Sequence, residues 1–218
     1  MELYHVLNRG VDKRTIFNNT ADHARFVHDL YEFNDKKPAP DAYRRGTWDF
    51  VSPTSDDRKK LVDLHGWCLM GNHYHLLVSE RREGGITTFI RKLNIGYAKY
   101  YNDIHKRTGT LFQGRTKKIL IERDAHFLHI LHYIHLNPLD FVTGARGWRT
   151  GRLTNSEGAL EHLKNYRWSS FQDYWGKKNF PSILRKDFFE DAYGGVKKKT
   201  ESFLKDMEWD ALETSLLE

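Results

Sequence analysis

Cysteine, long apolar runs and leader-like segments are scarce or absent in this sequence. Cys68 is the one cysteine among 218 residues, so neither an intrachain disulfide nor a cysteine-based zinc site can form. No run approaches the roughly 18 apolar residues that a membrane span requires. The first residues, MELYHVLNRGVDKR, lack the apolar segment of a secretory signal. We therefore expect a cytoplasmic protein with no membrane partner, stabilised by an ordinary hydrophobic core.

The charge balance is basic. Lys and Arg number 35 against 29 Asp and Glu, a formal net charge of +6 at pH 7 with histidine neutral. This excess favours a polyanionic partner, with nucleic acid first and an anionic membrane surface second. Aromatic residues make up 14% of the chain, and such rings either fill cores or stack on unpaired bases. A charge that serves only solubility is the alternative.

The hydrophobic pattern predicts alternating strands and helices. Period-two and helical spacings alternate along the chain, separated by glycine and polar turns. The predicted elements are a strand at 3–11, a helix at 21–33 with Thr20 as N-cap, strands at 61–70 and 73–80 around the Gly71-Asn72 turn, a helix at 86–106 stopped by Gly109, a strand at 111–123 with a bulge at Gly114, and a helix at 124–138. This order predicts an α+β fold, a ferredoxin-like antiparallel sheet flanked by helices. Residues 35–60 read as an inserted loop.

His73 and His75 are two residues apart in HYHLLVSE. If this segment is a strand, both imidazoles lie on one face, and Tyr74, Leu76 and Val78 point into the core. Two imidazoles on a rigid strand make half of a metal site. Two ordinary surface histidines are the competing interpretation of the same spacing.

The helix at 124–138 places a second set of polar groups on one face. At about 100° per residue, His126, His129, Tyr133 and Asn137 fall together beside the apolar face. Tyr133 offers a phenol oxygen as a nucleophile, and Asn137 offers a carbonyl oxygen suited to Mg²⁺ or Mn²⁺. A core tyrosine with a hydrogen-bonded hydroxyl is the alternative for Tyr133.

Basic residues cluster near these elements. Cationic side chains contact phosphates and give salt-dependent affinity, although a solvated surface fits any one of them as well. The residues predicted to contact DNA are Arg9, Lys13, Arg14, Gln113, Arg115, Lys117 and Lys118.

Five segments together resemble the single-tyrosine transposases of the HUH nuclease class, and above all the REP-associated tyrosine transposases and their insertion-sequence relatives. The segments occur in the family order and touch most of residues 3–175. They are LYHVLNRGVDKRTIF, GWCLMGNHYHLLV, RTGTLFQGRTKK, HYIHLNPL and NYRWSSF. The resemblance implies a transposase domain at 1–175, a ferredoxin-like fold, and a C-terminal extension at 176–218 without an assigned role.

The resemblance also implies an active site. His73 and His75 would bind a divalent metal, Mg²⁺ or Mn²⁺, and Asn137 would complete its ligands. Tyr133 would attack the DNA and form a 5′-phosphotyrosine. A phenol is protonated at neutral pH, so a proton acceptor is needed, and His129 and water are the candidates. The departures are the aromatic Tyr74 between the histidines, the insertion at 35–60, and the long stretch between Pro138 and Trp168.

The expected partner is single-stranded or hairpin DNA, because unpaired bases can be stacked and read at their edges. Relatives act as monomers or as homodimers, and both states stay open here. Three other functions compete with the nuclease: a catalytically silent binder of hairpin nucleic acid, a metal-dependent hydrolase with a structural Tyr133, and a plain basic domain. A silent binder would keep its function without Tyr133, and a metal-dependent hydrolase would leave no covalent protein–DNA adduct. A plain basic domain would behave the same with and without a metal ion.

Overall fold

The computed structural model describes residues 1–38, 58–122, 124–150 and 153–206, which form an α+β fold on one antiparallel sheet. The strands are β1 (Leu3–Arg9), β2 (Val62–Met70), β3 (His73–Glu80) and β4 (Lys117–Leu120). The α-helices of these residues are α1 (Thr20–Glu32), α2 (Gly85–Ile104), α3 (Asp124–Leu136), α4 (Ser156–Asn165), α5 (Phe171–Tyr174), α6 (Asp187–Tyr193) and α7 (Val196–Asp206). Short 3-10 helices cover Val11–Lys13, Asn137–Phe141, Arg146–Thr150 and Pro181–Ile183.

The strand order across the sheet is β2-β3-β1-β4, and every neighbouring pair is antiparallel. The connection through α1 joins β1 to β2, and the connection through α2 joins β3 to β4, so each crosses over one strand. This is the ferredoxin-like arrangement that the sequence predicts. The two central strands, β1 and β3, hydrogen-bond along their whole length from Leu3↔Ser79 to Arg9↔His73. Side chains on these strands therefore have the most rigid support in the sheet.

The sheet carries an apolar core on each face. Tyr74, Leu76 and Val78 of β3 pack in the first core with α1 and α2, as their alternation predicts. Leu77, which points the other way, packs in the second core with residues of α3 such as Leu131. Helices thus cover both faces, and the side of β3 that bears His73 and His75 faces α3.

Two helix boundaries differ from the sequence-based expectations. Thr20 is the first residue of α1, and Asn19 is its N-cap, because the Asn19 side-chain oxygen accepts the Asp22 amide at 3.0 Å. Helix α2 ends at Ile104, before Gly109, which adopts a positive φ of 83° in the following loop. The predicted helix end at 106 was therefore two residues too late, and Gly109 lies five residues beyond the last helical residue.

The predicted strand at 111–123 is mostly a loop. Only Lys117–Leu120 joins the sheet as β4, while Phe112 forms an isolated bridge with Gly10 at the end of β1. Gly114 lies in the loop with a positive φ of 63°, so it is a turn residue and was wrongly predicted as a bulge. This loop crosses the end of β1 and brings its basic residues beside β3.

The chain beyond Trp175 packs on α3. Phe189 of α6, with Val196 and Leu204 of α7, is buried in the second core. The role of 176–218 as a separate extension stays a prediction. Residues 39–57 of the expected insertion and residues 207–218 lie outside the described residues. Within the described ranges, no helix has both the length and the apolar character that crossing a membrane requires.

Candidate active site and nucleic-acid interface

His73 and His75 lie on one face of β3, at the end where this strand pairs with the end of β1. Arg9 is opposite His73, and Leu7 is opposite His75. The two imidazole rings are 4.9 Å apart between centroids and nearly perpendicular, at 84°. His75 is buried, whereas His73 is partly exposed. The period-two geometry predicted from the sequence therefore brings both imidazoles to one place.

The neighbours of both histidines favour a metal-binding tautomer. His73 Nδ1 lies 2.6 Å from Asn72 Oδ1 and donates to it, so the lone pair of His73 is on Nε2. His75 Nδ1 shares a 2.9 Å hydrogen bond with His5 Nε2. When His75 Nδ1 donates this bond, its Nε2 carries a lone pair, the form that metal ligation requires. That Nε2 is buried without a hydrogen-bond partner, as expected for an atom that ligates an ion.

His75 is uncharged at neutral pH. Burial lowers the pKa of His75 well below its ordinary value, and the electrostatic effect of His73, His5 and Arg149 on the protonated ring lowers it further. A neutral imidazole is the ligating form, and this environment keeps it available far below neutral pH.

Helix α3 approaches the histidine face of the sheet very closely. A Cβ on Gly66 of β2 would lie 2.7 Å from Leu131 Cδ1, so the absence of a side chain at Gly66 permits this contact. Ser170, in the WSSF segment, ties the same helix to the sheet. Its Oγ accepts the Trp67 amide at 2.9 Å and hydrogen-bonds to His135 Nε2 at 2.8 Å. The YIHLNP and WSSF segments therefore meet, which fixes the height of α3 above the sheet.

Tyr133 is placed beside the histidines by this packing. Its ring centroid lies 5.9 Å from that of His75 and 6.0 Å from that of His5, both edge to face. The phenol is fully buried. Its oxygen accepts a hydrogen bond from Arg149 Nη1 at 3.0 Å. The structure thus brings Tyr133 and His75 together, with the phenol inside the protein.

Asn137, one turn after Tyr133, is held at both ends of its amide. Its Nδ2 donates to the Tyr133 carbonyl at 2.7 Å, and its Oδ1 accepts from Arg149 Nη2 at 3.0 Å. An amide oxygen has two lone pairs, so one is left for a metal ion. Across the residues that the structure describes, no three His, Cys, Asp or Glu side chains form a metal-binding group. The chemistry of the two histidines suits a divalent ion, and a third ligand would be an oxygen such as that of Asn137.

A basic groove of about 650 Å³ opens at the histidine pair. Its lining combines both histidines with cations from two other stretches of chain, 9–13 and 115–117. Five of the residues predicted to contact DNA line it: Arg9, Lys13, Gln113, Arg115 and Lys117. Arg9 Nε donates to Gln113 Oε1 at 3.0 Å, which couples the end of β1 to the loop before β4. The groove has the charge and the mixed polar lining that a phosphate backbone requires.

Three predicted residues lie elsewhere. Lys118 is on the opposite face of β4, with its Nζ 4.7 Å from the Tyr4 ring centroid. Arg14 turns back to its own loop and donates to the Val11 carbonyl at 3.1 Å. His129 lies against Phe203 of α7, at 6.0 Å between ring centroids. The roles of these residues stay predictions.

Arg149, Asp140 and Trp148 were not identified from the sequence. Arg149 Nη2 also donates to Asp140 Oδ2 at 2.8 Å, and Trp148 Nε1 donates to Asp140 Oδ1 at 2.7 Å. All three lie in short 3-10 helices without a hydrophobic period. The one available signal was the proximity in sequence of Asn137 and Asp140 to Tyr133.

The chain was compared with known proteins. No family model matches it, and no curated protein matches its sequence. Among solved structures, it is similar to a REP-associated tyrosine transposase bound to a REP hairpin, with a TM-score of 0.51 and 12% sequence identity. The match covers 85% of this chain and 86% of that chain. At this identity the match shows a common fold, and the resemblance to tyrosine transposases expected from the sequence is confirmed at the level of the fold.

Proposed function

We propose that this protein is a transposase-like enzyme that binds hairpin or single-stranded DNA and cuts and rejoins one strand through Tyr133. The observation that carries the proposal is the packing of Tyr133 beside the His73–His75 pair at the end of a basic groove. A phenol, two imidazoles with lone pairs directed away from their fixed neighbours, and phosphate-binding cations are the groups that such a reaction needs. The fold shared with a hairpin-bound tyrosine transposase supports the same class of partner.

In the proposed reaction, the phenolic oxygen of Tyr133 attacks the scissile phosphorus. The bond from phosphorus to the 3′ oxygen breaks, and the downstream fragment stays attached as a 5′-phosphotyrosine. The phenolic proton passes to solvent, and the departing 3′ oxygen takes up a proton. Mg²⁺ or Mn²⁺ held by His73, His75 and Asn137 would supply charge stabilisation at the phosphate.

Rejoining is the same reaction in reverse, with a different 3′-hydroxyl as the attacking group. Because the phosphotyrosine bond retains the energy of the phosphodiester, the joining step needs no nucleotide cofactor. Arg9, Lys13, Arg115 and Lys117 would hold the backbone on either side of the reacting phosphate, since they line the groove that leads to the histidines. Base recognition would then depend on unpaired nucleotides at the groove.

The covalent adduct is the decisive product. We would incubate the protein with a pool of hairpin oligonucleotides carrying a fluorophore at the 3′ end, with Mg²⁺ or Mn²⁺, and separate the products on a denaturing protein gel. The downstream fragment should migrate with the protein, and the signal should vanish in Tyr133→Phe, in His73→Ala and with a chelator. Tyr193→Phe is the matched control, because it also removes one phenol hydrogen bond next to α3, the partly buried one from Tyr193 to the Phe127 carbonyl.

A silent hairpin binder is the second candidate, and the complete burial of the Tyr133 phenol favours it. That function predicts salt-dependent binding of the hairpin pool without an adduct in the wild type. It also predicts that Tyr133→Phe binds as tightly as the wild type. Cleavage that persists in Tyr133→Phe and leaves no adduct contradicts both candidates and indicates a metal-dependent hydrolase.

A further inference from the structure

The Arg149 guanidinium hydrogen-bonds to both Tyr133 and Asn137, the proposed nucleophile and a proposed metal ligand. Nη1 donates to the Tyr133 phenolic oxygen and Nη2 donates to Asn137 Oδ1, each at 3.0 Å. Both acceptors are fully buried. A partly buried cation that donates to the proposed nucleophile and to a metal-ligand candidate is placed at the reacting atoms and not at the periphery of the site.

The position of Arg149 does not depend on Tyr133. Asp140 accepts from Nη2 at 2.8 Å, and the guanidinium carbon lies 4.5 Å from the Trp148 ring centroid. Asp140 is in turn held by the Trp148 indole at 2.7 Å. Asp140 and Trp148 therefore hold the guanidinium in place independently of its contact with the phenol. This is the condition for a preorganised electrostatic interaction.

Arg149 also keeps its charge in this setting. An arginine guanidinium stays protonated in proteins, and Asp140 pairs with this one at 2.8 Å. The ion pair with Asp140 would satisfy an arginine whose role was only to join two 3-10 helices. The additional donors directed at Tyr133 and Asn137 require another explanation.

We propose that Arg149 is a further catalytic residue, which stabilises negative charge on the Tyr133 oxygen as the phosphotyrosine bond breaks during rejoining. In that step a 3′-hydroxyl oxygen bonds to phosphorus and releases its proton to solvent. The bond from phosphorus to the phenolic oxygen breaks, its electron pair stays on that oxygen, and the oxygen then takes a proton from solvent. A guanidinium N–H at hydrogen-bond distance stabilises this leaving group. By microscopic reversibility the same contact assists the attack, and the contact with Asn137 orients its oxygen.

The inference rests on the proposed function, and single-turnover kinetics separate the two. Adduct formation is followed with the 3′-labelled hairpin pool, and rejoining is followed as the loss of adduct after an excess of unlabelled oligonucleotide with a 3′-hydroxyl is added. We expect Arg149→Gln to slow both steps by about 100-fold, the usual effect of removing one such donor. Arg149→Lys should recover part of the rate. Arg146→Gln is the matched control, because it removes a charge from the same 3-10 helix, where Arg146 donates a long hydrogen bond to the Asp140 carbonyl at 3.4 Å.

Binding and leaving-group measurements exclude a merely structural role. Oligonucleotide affinity should fall equally in Arg149→Gln and Arg146→Gln, because each loses one charge. Replacement of Tyr133 by 3-fluorotyrosine gives a better leaving group, and it should narrow the gap in rejoining rate between Arg149→Gln and the wild type. If Arg149→Gln does not fold, the same comparison is made with Arg149→Lys.

Three outcomes overturn the inference. Rates in Arg149→Gln equal to those of Arg146→Gln would exclude a catalytic role while leaving the nuclease intact. Faster adduct formation in Arg149→Gln would show that Arg149 restrains Tyr133 instead of assisting it. A defect in Arg149→Gln that fluorotyrosine leaves unchanged would assign Arg149 to folding alone. Absence of adduct in the wild type would instead remove the proposed function itself, and the inference with it.

Discussion

Ser170 joins α3 to the sheet through its hydroxyl, and removal of this hydroxyl should measurably lower the free energy of unfolding. Its Oγ satisfies two buried groups, the Trp67 amide at 2.9 Å and His135 Nε2 at 2.8 Å. Ser170→Ala leaves both without this partner. A buried polar group that loses its partner costs about 1–3 kcal/mol, so two such groups cost about 2–6 kcal/mol. We expect the free energy of unfolding to fall by about 3 kcal/mol, because each group can recover part of this cost.

Ser169 is the matched control for this change. Its Oγ accepts one amide, that of Phe171 at 3.0 Å, so Ser169→Ala should cost about 1 kcal/mol. At about 2–4 °C per kcal/mol for a chain of this size, the melting temperature should fall by about 6–12 °C in Ser170→Ala and by about 2–4 °C in Ser169→Ala. Urea unfolding followed by tryptophan fluorescence gives the free energies, and calorimetry gives the melting temperatures.

A double-mutant cycle with His135→Ala tests the assigned contact. If the Ser170–His135 hydrogen bond carries part of the cost, Ser170→Ala should be less destabilising in the His135→Ala background by about 1 kcal/mol. Equal melting temperatures for the two serine variants, or strict additivity in the cycle, would refute the reasoning. Either result would mean that another group fixes α3 on the sheet.

The remaining predictions concern acid stability, packing and DNA affinity. Burial lowers the pKa of His65 to about 4, whereas in the unfolded chain the pKa returns to about 6.5. Between pH 7.5 and pH 5 the free energy of unfolding, measured by urea titration, should therefore fall by about 2 kcal/mol less in His65→Gln than in the wild type, and equal losses would contradict this assignment. Gly66→Ala should destabilise by about 1–3 kcal/mol because the new Cβ meets Leu131 at 2.7 Å, and an unchanged urea midpoint would contradict this contact. Lys117→Ala should weaken oligonucleotide binding and reduce the salt slope by about 0.7, more than Lys118→Ala on the other face; equal effects would place the DNA outside the groove.

Much of the fold follows from local patterns. The alternation of β3 and the spacing of α2 determine which residues face the core, and both patterns have long enough repeats to be read from the sequence. The apolar stripe of α2 is buried at Ile86, Leu93 and Tyr97. Only its last member, Ile104, is exposed, because the helix ends there. Ends of elements depend on single capping residues, which explains why Thr20 was predicted as the N-cap in place of Asn19 and why α2 ends two residues before the predicted 106.

The site was predictable only in part, because its geometry depends on long-range packing. His73 and His75 share a face by strand geometry alone. Adjacent lysines of a strand must point to opposite faces, but pairing of Lys117 with Leu7 decides which one meets the histidines. Tyr133 was expected on a polar stripe, yet it is buried, since Trp148 covers its ring at 5.8 Å between centroids. Arg149 has no local pattern, and its partners are brought to it only by the folded chain.

The residues that build the second core set a lower limit on the length of any fragment that could keep the site intact. A boundary after Trp175 matches the end of the recognisable transposase segments, but it would remove Phe189, Val196 and Leu204 from beneath α3. A polypeptide cut there would keep the sheet, both histidines and the groove, while the helix bearing Tyr133 would lose the apolar layer that presses it onto the sheet. The shortest piece expected to hold Tyr133 in place beside His75 therefore extends through Leu204, well beyond the segments that resemble transposases.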